Sequence, residues 1–297
     1  MRFIAEEQTV VDSHSGLIWM RDAGIEPFPM TWPEALASVR EMNTRKLFGC
    51  TDWRLPNRRE LFSLISHSAV NPALPEGHPF VNVFNGYYWS GTTCHRLPDQ
   101  AWYVHLGGAR VFKGMKHGSY LVWPVRTDGG RTLRVYRTGQ QVCYAADGSR
   151  IDCSGSAQDG NILSGQPWPQ PRFADADGSV IDRMTGLIWS RTADLTGQPV
   201  SWEQAEKAIA AANKERLHGS DNWRLPTIRE LESLCDMSRH SPALPQPHPF
   251  EQVRDYYWSA TPSRYDPRYA WALYLQDGAV GVGYKPNADF HVWPVRC

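Results

Sequence analysis

The stretch Gly49–Ser68, GCTDWRLPNRRELFSLISHS, returns as Gly219–Ser238, GSDNWRLPTIRELESLCDMS. Trp53 and Trp223 set an offset of 170 residues (223 − 53), and it holds across most of the chain. Arg2-Phe3 matches Arg172-Phe173, GLIWM at Gly16 matches GLIWS at Gly186, and NPALPEGHPF at Asn71 matches SPALPQPHPF at Ser241. VWPVR closes both copies, at Val122 and Val292. Between Phe80 and Tyr87 the second copy is one residue shorter, so YYWSGT at Tyr87 and YYWSAT at Tyr256 are offset by 169 (256 − 87) until a later loop restores the register. A period this long marks two complete domains, because solenoid repeats run to about 20–50 residues. The boundaries expected are 1–126 for copy one, 127–170 for a connector and 171–297 for copy two.

Composition fits two domains, each long enough to bury a core of its own. A formal net charge of +0 offers no general attraction to nucleic acid or anionic lipid, so any charged binding face has to be local. No run of about 18 apolar residues is present to span a membrane. The 13 Trp, 24 Gly and 22 Pro favour short strands and ordered loops over long helices.

The six cysteines fall in local pairs: Cys50 and Cys94 in copy one, Cys143 and Cys153 in the connector, Cys235 and Cys297 in copy two. They do not repeat with the duplication, since Ser220 stands opposite Cys50 and Ile65 opposite Cys235. Pairs confined to each segment suit disulfides and an oxidising compartment, with six reduced thiols as the alternative. The expectation is a periplasmic or extracellular protein whose leader is absent from this sequence, with a cytoplasmic one as the other possibility. CYAADGSRIDC is expected to form a hairpin around Asp147-Gly148, closed by Cys143–Cys153. No cysteine or histidine spacing suggests zinc, and neither a metal nor a cofactor is expected.

Within each copy, Thr31 with Glu34 and Ser201 with Gln204 are in capping-box register, and each opens an amphipathic helix. Asn57 with Glu60 and Thr227 with Glu230 open a second one after Leu-Pro, with Leu61, Leu64 and Ile65, or Leu231, Leu234 and Cys235, facing inward. YYWSGT, AWYVHL and LVWPVR read as strands. Each copy is therefore a short hairpin, two helices, a Pro-rich loop and a closing set of strands, an α+β domain with mainly antiparallel pairing. The recurring Trp19, Trp53, Trp89 and Trp123, with Trp189, Trp223, Trp258 and Trp293, are expected in the cores. Arg54 with Glu60, and Arg224 with Glu230, read as structural ion pairs. Asp175-Ala-Asp177-Gly178 lacks the remaining ligands of a calcium loop and reads as a hairpin turn.

TGLIW, DWRLP followed by REL, NPALP with HPF, YYWS and WPVR occur in this order in both copies, with Ser15 and Asn222 as departures. In this the chain resembles the Lcl C-terminal domain family, named for a collagen-like adhesin and placed in the C-type-lectin-like superfamily. The resemblance implies tandem duplicated C-type-lectin-like domains and a role in adhesion, and TGQQVCYAADGSRIDCSG looks like the lead-in found before such domains. WEQA leading to WRLPTIRELESL is more distantly similar to formylglycine-generating-enzyme-like domains. Those enzymes use a cysteine pair near their closing strands, and neither copy has one there. An oxidoreductase is therefore disfavoured, and a non-enzymatic binding protein is expected. His78 and His248, in the matched HPF segments, read as structural hydrogen-bond donors with no partner for acid–base work.

If the shared residues build the fold, recognition belongs where the copies disagree, on loops carried by a rigid scaffold. In copy one these are Arg110, Lys113, Lys116 and His117, expected to favour acidic polysaccharide. In copy two they are Arg264, Tyr265, Arg268, Tyr269, Tyr274, Gln276, Asp277, Tyr284, Lys285 and Asn287, expected to meet a more neutral glycan or protein surface. The alternative is a solvated surface. Polysaccharide or a cell-surface protein is thus the expected partner, with nucleic acid excluded. A variable receptor of a diversity-generating retroelement is a second reading of the same binding class.

Overall fold

The computed structural model describes residues 2–297, which divide into a first body ending at Pro167 and a second, Trp168–Cys297. In the first body, β1 (Phe3–Ala5), β2 (Thr9–Asp12) and β3 (Ile18–Met20) form an antiparallel meander. Two helices follow, α1 (Trp32–Thr44) and α2 (Arg58–Leu64), each opened by the capping box seen in the sequence. A second antiparallel sheet contains β4 (Tyr87–Thr93), β5 (Gln100–His105) and β6 (Arg110–Met115). The closing β7 (Val125–Arg126) returns to β3, so the two ends of the copy are paired. LVWPVR is therefore not one strand: Leu121 bridges to Tyr88 in parallel, while Val125 bridges to Arg54 and pairs with Trp19.

After the connector elements β8 (Cys143–Tyr144), β9 (Arg150–Ile151) and α3 (Asp159–Ile162), the second body repeats the plan. β10 (Phe173–Ala176), β11 (Ser179–Asp182) and β12 (Ile188–Ser190) pair with β16 (Val295–Arg296). Between them lie α4 (Trp202–Lys214), α5 (Ile228–Ser233), and the strands β13 (Tyr256–Pro262), β14 (Tyr269–Tyr274) and β15 (Ala279–Tyr284). Asp177-Gly178 is the β10–β11 turn, with both residues at positive φ, as the Asp-Gly reading requires.

The repeated sentence does the same work twice. The Trp53 backbone N–H donates to Asn43 at 2.7 Å and its indole N–H to the Leu47 carbonyl at 3.0 Å. Arg54 forks onto Glu60 at 2.6 and 2.8 Å, while Glu60 also accepts the Asn57 N–H. Trp223, Arg224, Thr227 and Glu230 reproduce each of these contacts in the second body. All eight recurring tryptophans are in the cores. The rings of His78 and His248 tilt against Phe80 and Phe250, and Nδ1 of each makes no hydrogen bond among the described residues, so His78 departs from the donor reading while His248 keeps a backbone hydrogen bond at Phe250. Burial lowers both pKa values, which suits neutral packing groups.

The connector is ordered and packs on the first body through polar side chains. Ser164 donates to Glu60 at 2.6 Å and accepts from Arg54 at 2.7 Å. Gln140 accepts the Thr93 N–H and donates to the Thr93 carbonyl, as a neighbouring strand would. The Asp159 carboxylate, fully buried, accepts the hydroxyls of Thr92 and Thr138 at 2.7 and 2.6 Å. The hairpin around Asp147-Gly148 forms, with Gly148 at φ +87° set against the Asp99 backbone.

Of the three expected disulfides, Cys143–Cys153 is present and the other two are absent. Cys94 is buried at the end of β4, whereas Cys50 sits beyond α1 with its sulfur against the Phe48 carbonyl. Cys235 is buried beside Gly278, whereas Cys297 is exposed and touches Arg224. In both cases the partners belong to different parts of the fold, and sequence proximity within a copy did not reflect spatial proximity.

Three outcomes are expected. A fragment 1–167 should melt cooperatively and at a higher temperature than 1–126, which loses the partners of Thr92, Thr93 and Glu60; equal melting temperatures would exclude the connector from the fold. Peptide mapping without reductant should find Cys143 joined to Cys153, with Cys50 and Cys297 alkylated in the native protein and Cys94 and Cys235 only after unfolding. Burial, opposed by the Thr138 and Thr92 hydroxyls, raises the Asp159 carboxyl to about 6. The folded state therefore binds the extra proton, and the group's contribution is full below about pH 4 and lost as pH rises through about 6. Asp159→Asn should accordingly be most destabilising, relative to wild type, at about pH 4 and below. The gap should narrow by roughly 3 kcal/mol between about pH 4 and pH 7 in denaturant titrations.

Candidate functional site

The register of β4, β5 and β6 places Tyr87, His105 and Arg110 in one row and Trp89, Tyr103 and Phe112 in the next. These rows are two residues apart along each strand and share one face of the sheet. Tyr120, from the loop before β7, covers the centre of that face, 4.4 Å from Trp89 and 5.0 Å from Tyr103 between ring centres. It can do so because position 114 is glycine: a Cβ there would lie 2.5 Å from the Tyr120 ring. Toward the β5–β6 turn the cover ends, and Tyr87 stacks on His105 at 4.5 Å.

Beside Tyr87 and Tyr120 opens a cleft of about 340 Å³ lined by Pro27, Pro29, Phe84, Gly86, Ser119 and Leu121 as well. Two of its lining rings are exposed, Phe84 at 51 % and Tyr87 at 43 %, and Phe28, between the two lining prolines in sequence, is 75 % exposed. Burial, with the neighbouring Tyr120 and Tyr87, pushes the Tyr103 hydroxyl up to about 12, so it remains a neutral hydrogen-bonding group. Burial lowers His105, with Arg110 acting in the same direction. A neutral aromatic floor flanked by one guanidinium is what the geometry presents.

The four residues expected to bind in copy one do not form a cluster. Arg110 is exposed on the aromatic face. Lys113 is on the opposite face, its amine 5.5 Å from the Trp102 ring centre. Lys116 is not at the surface at all. It is 0 % exposed, donates to the carbonyls of Tyr144 and Ala145 at 3.0 Å each, and sits 4.3 Å over the Trp32 ring. Burial pulls its amine down to about 7, against the pull of Asp99 and Asp147. It is a fastener for the connector hairpin. His117 is exposed in the following turn.

The ten residues of copy two divide between the two ends of its strands. Tyr274, Gln276 and Asp277 are at the β14–β15 turn, where buried Asp277 accepts the Ala279 N–H. Tyr274 belongs to an aromatic group with Tyr256 and Phe290 that matches the first body's Tyr87, His105 and Tyr120. Ala272, Ala279 and Gly281 replace Tyr103, Arg110 and Phe112, so the matched face lacks both the guanidinium and two rings. Arg264, Tyr265, Arg268, Tyr269, Tyr284, Lys285 and Asn287 gather at the other end. There Tyr269 and Tyr284 are register partners, and the Lys285 N–H donates to the Arg268 carbonyl. Arg268 is held by Asp266 at 2.7 Å, and Lys285 lies 4.4 Å over Trp202.

Sequence reasoning passed over the cleft because Tyr87 reads as a strand residue of the scaffold, in YYWSGT. The available signal was Pro27-Phe28-Pro29, an apolar residue held between prolines in a loop that copy two writes as Gly197-Gln198-Pro199.

A search of curated proteins finds no match to the chain. A family model described as the Lcl C-terminal domain matches residues 8–126 and again 178–296, which together take in both helix pairs and both closing strands. The chain belongs to the Lcl C-terminal domain family and carries that domain twice in tandem.

Proposed function

We propose that the chain is a non-enzymatic ligand-binding protein working outside the cytoplasm, and that the first body binds polysaccharide in the aromatic cleft. The observation that carries this reading is the half-exposed ring of Tyr87 between the cleft and Arg110. Sugar rings present apolar C–H faces that stack on aromatic rings, and concave apolar sites with a few convergent polar groups are where such ligands lie. Arg110 would engage a carboxylate or sulfate on the same glycan with charge-assisted hydrogen bonds. No carboxylate is among the residues lining the cleft, which favours binding over proton transfer. The Cys143–Cys153 bond favours an oxidising compartment. Two helices packed in a domain whose first and last strands are paired are in keeping with a C-type-lectin-like architecture for each body.

A glycan array on the intact chain should pick out uronic or sulfated oligosaccharides. In calorimetry with the best of them, Tyr87→Ala and Arg110→Ala should each weaken binding at least tenfold, a loss of about 1.4 kcal/mol. Lys113→Ala and His117→Ala should remain within about twofold of wild type, a few tenths of a kcal/mol. Binding that depends on Lys113 or His117, and not on Tyr87, would place the ligand elsewhere.

A further inference from the structure

The first body's cleft has a matched corner in the second body, and the residues there differ in kind. Phe84 and Leu121 line the cleft, and Gly24 is close beside the Phe84 ring, where a Cβ would come within 3.0 Å of it. The counterparts are Arg254, His291 and Asp194. Arg254 matches Phe84 because the backbone N–H of each donates to a tyrosine hydroxyl, of Tyr257 and of Tyr88, and the other two follow at the offset of 170 (291 − 121, 194 − 24). No connector residue lines this corner in the first body, so its openness there belongs to the domain itself.

In the second body a buried carboxylate organises the corner. The Asp194 side chain is 0 % exposed and accepts the Gly197 N–H at 3.1 Å, Nε of Arg254 at 2.9 Å and Nδ1 of His291 at 3.1 Å, the last two on separate oxygens. A carboxylate accepts, so Nδ1 carries the proton and Nε2 of the neutral ring is left as an acceptor. Nε2 makes no hydrogen bond among the described residues and is not sealed from solvent. The two Nη groups of Arg254 also have no partner among the described residues, on a side chain that is 44 % exposed. Beside the turn there is room, since a Cβ on Gly197 would meet nothing within 4 Å. The fold does not require this arrangement: the first body fills the same corner with apolar groups, and burying a carboxylate is costly unless its oxygens are met. What Asp194 does is hold two polar groups side by side with their outer edges free.

We propose that this corner is a second binding site, separate from the first body's cleft, and that it takes the vicinal hydroxyl pair of a neutral hexose. A sugar hydroxyl both donates and accepts at one oxygen. One hydroxyl would donate to Nε2 of His291 while the pair accepts from the Nη groups of Arg254. Charge decides against an acidic ligand: Asp194 already balances Arg254, and Asp255 and Asp289, next to Arg254 and two residues before His291, are exposed. The choice of a sugar rests on the reading of the chain as a glycan-binding protein, but the site is in the other body, so the two can fail separately.

The test follows the imidazole signals of the intact chain by carbon–proton NMR at about pH 8, where an ordinary histidine is neutral. The probes are the methyl glycosides of mannose, galactose and glucose, titrated to roughly 100 mM because a few hydrogen bonds to one sugar give affinities of about millimolar at best. The signal that is missing from His291→Gln should shift saturably with at least one glycoside. Arg254→Met should weaken that response about tenfold or more while the other imidazole signals stay in place. Arg254→Lys should weaken it as well, since a single ammonium does not reproduce the paired donors of the guanidinium. No shift of that signal with any of the three glycosides would overturn the proposal, and so would a shift that both Arg254 variants leave intact. A shift with methyl glucuronide or sulfate alone would overturn the neutral class, and one with N-acetylglycine methylamide alone would replace the sugar by a peptide. Failure here leaves the first body's cleft standing, because that reading is decided by calorimetry at Tyr87 and Arg110.

Discussion

Each body depends on one forked ion pair. Arg54 and Arg224 lie between the closing strand, through backbone bridges to Val125 and Val295, and the capped start of a short helix, through Glu60 and Glu230. The Leu-Pro after each arginine presents a carbonyl to the N–H of Gly91 or Ala260 in the second sheet. Both sheets and a helix therefore meet at one guanidinium. In the first body, where the pair is buried, it adds little over an apolar replacement, but removing one partner leaves an uncompensated charge and costs about 3–5 kcal/mol. In both bodies the pair also ties the capped helix start to the closing strand, and that shared geometry accounts for the same wording in two copies whose loops differ.

The same pair sits in two environments. In the first body the connector seals it, and Ser164 completes the hydrogen bonding of the glutamate. In the second, water reaches it, and burial that would raise the Glu230 carboxyl is outweighed by Arg224 and the Thr227 N–H, which hold it below its ordinary value. The sheet faces differ in a similar way. Small residues at 272, 279 and 281 leave the second body without the rings and guanidinium that frame the first body's cleft. One scaffold thus carries an aromatic cleft in the first copy that the second copy does not repeat.

Most of the scaffold was legible in the sequence, because capping boxes, period-two strands and repeated tryptophans are local patterns, and the duplication checks each of them twice. The all-copy core of tryptophans and the Cys143–Cys153 hairpin follow from such patterns. What was not legible depends on contacts far apart in sequence. Lys116 reads as a surface charge until the connector's carbonyls, 28 and 29 residues away, are placed over it. Aligned at the local offset of 169 residues, it also matches Lys285, which marks it as a shared residue (285 − 116). Cys50 and Cys94 share a copy without sharing a neighbourhood. Tyr87 is scaffold on the evidence of its motif and is seen to line a cleft only once Pro27, Pro29 and Phe84 are placed beside it.

The connector joins these strands of argument. It resembles a lead-in to the copy that follows, yet up to Pro167 it packs with the copy that precedes it. A carboxylate as costly to bury as Asp159 is tolerated there only because two hydroxyls meet it, one from the sheet and one from the connector itself. Such a contact is specific in a way that apolar burial is not, since a segment lacking the acid would leave the Thr92 hydroxyl unsatisfied.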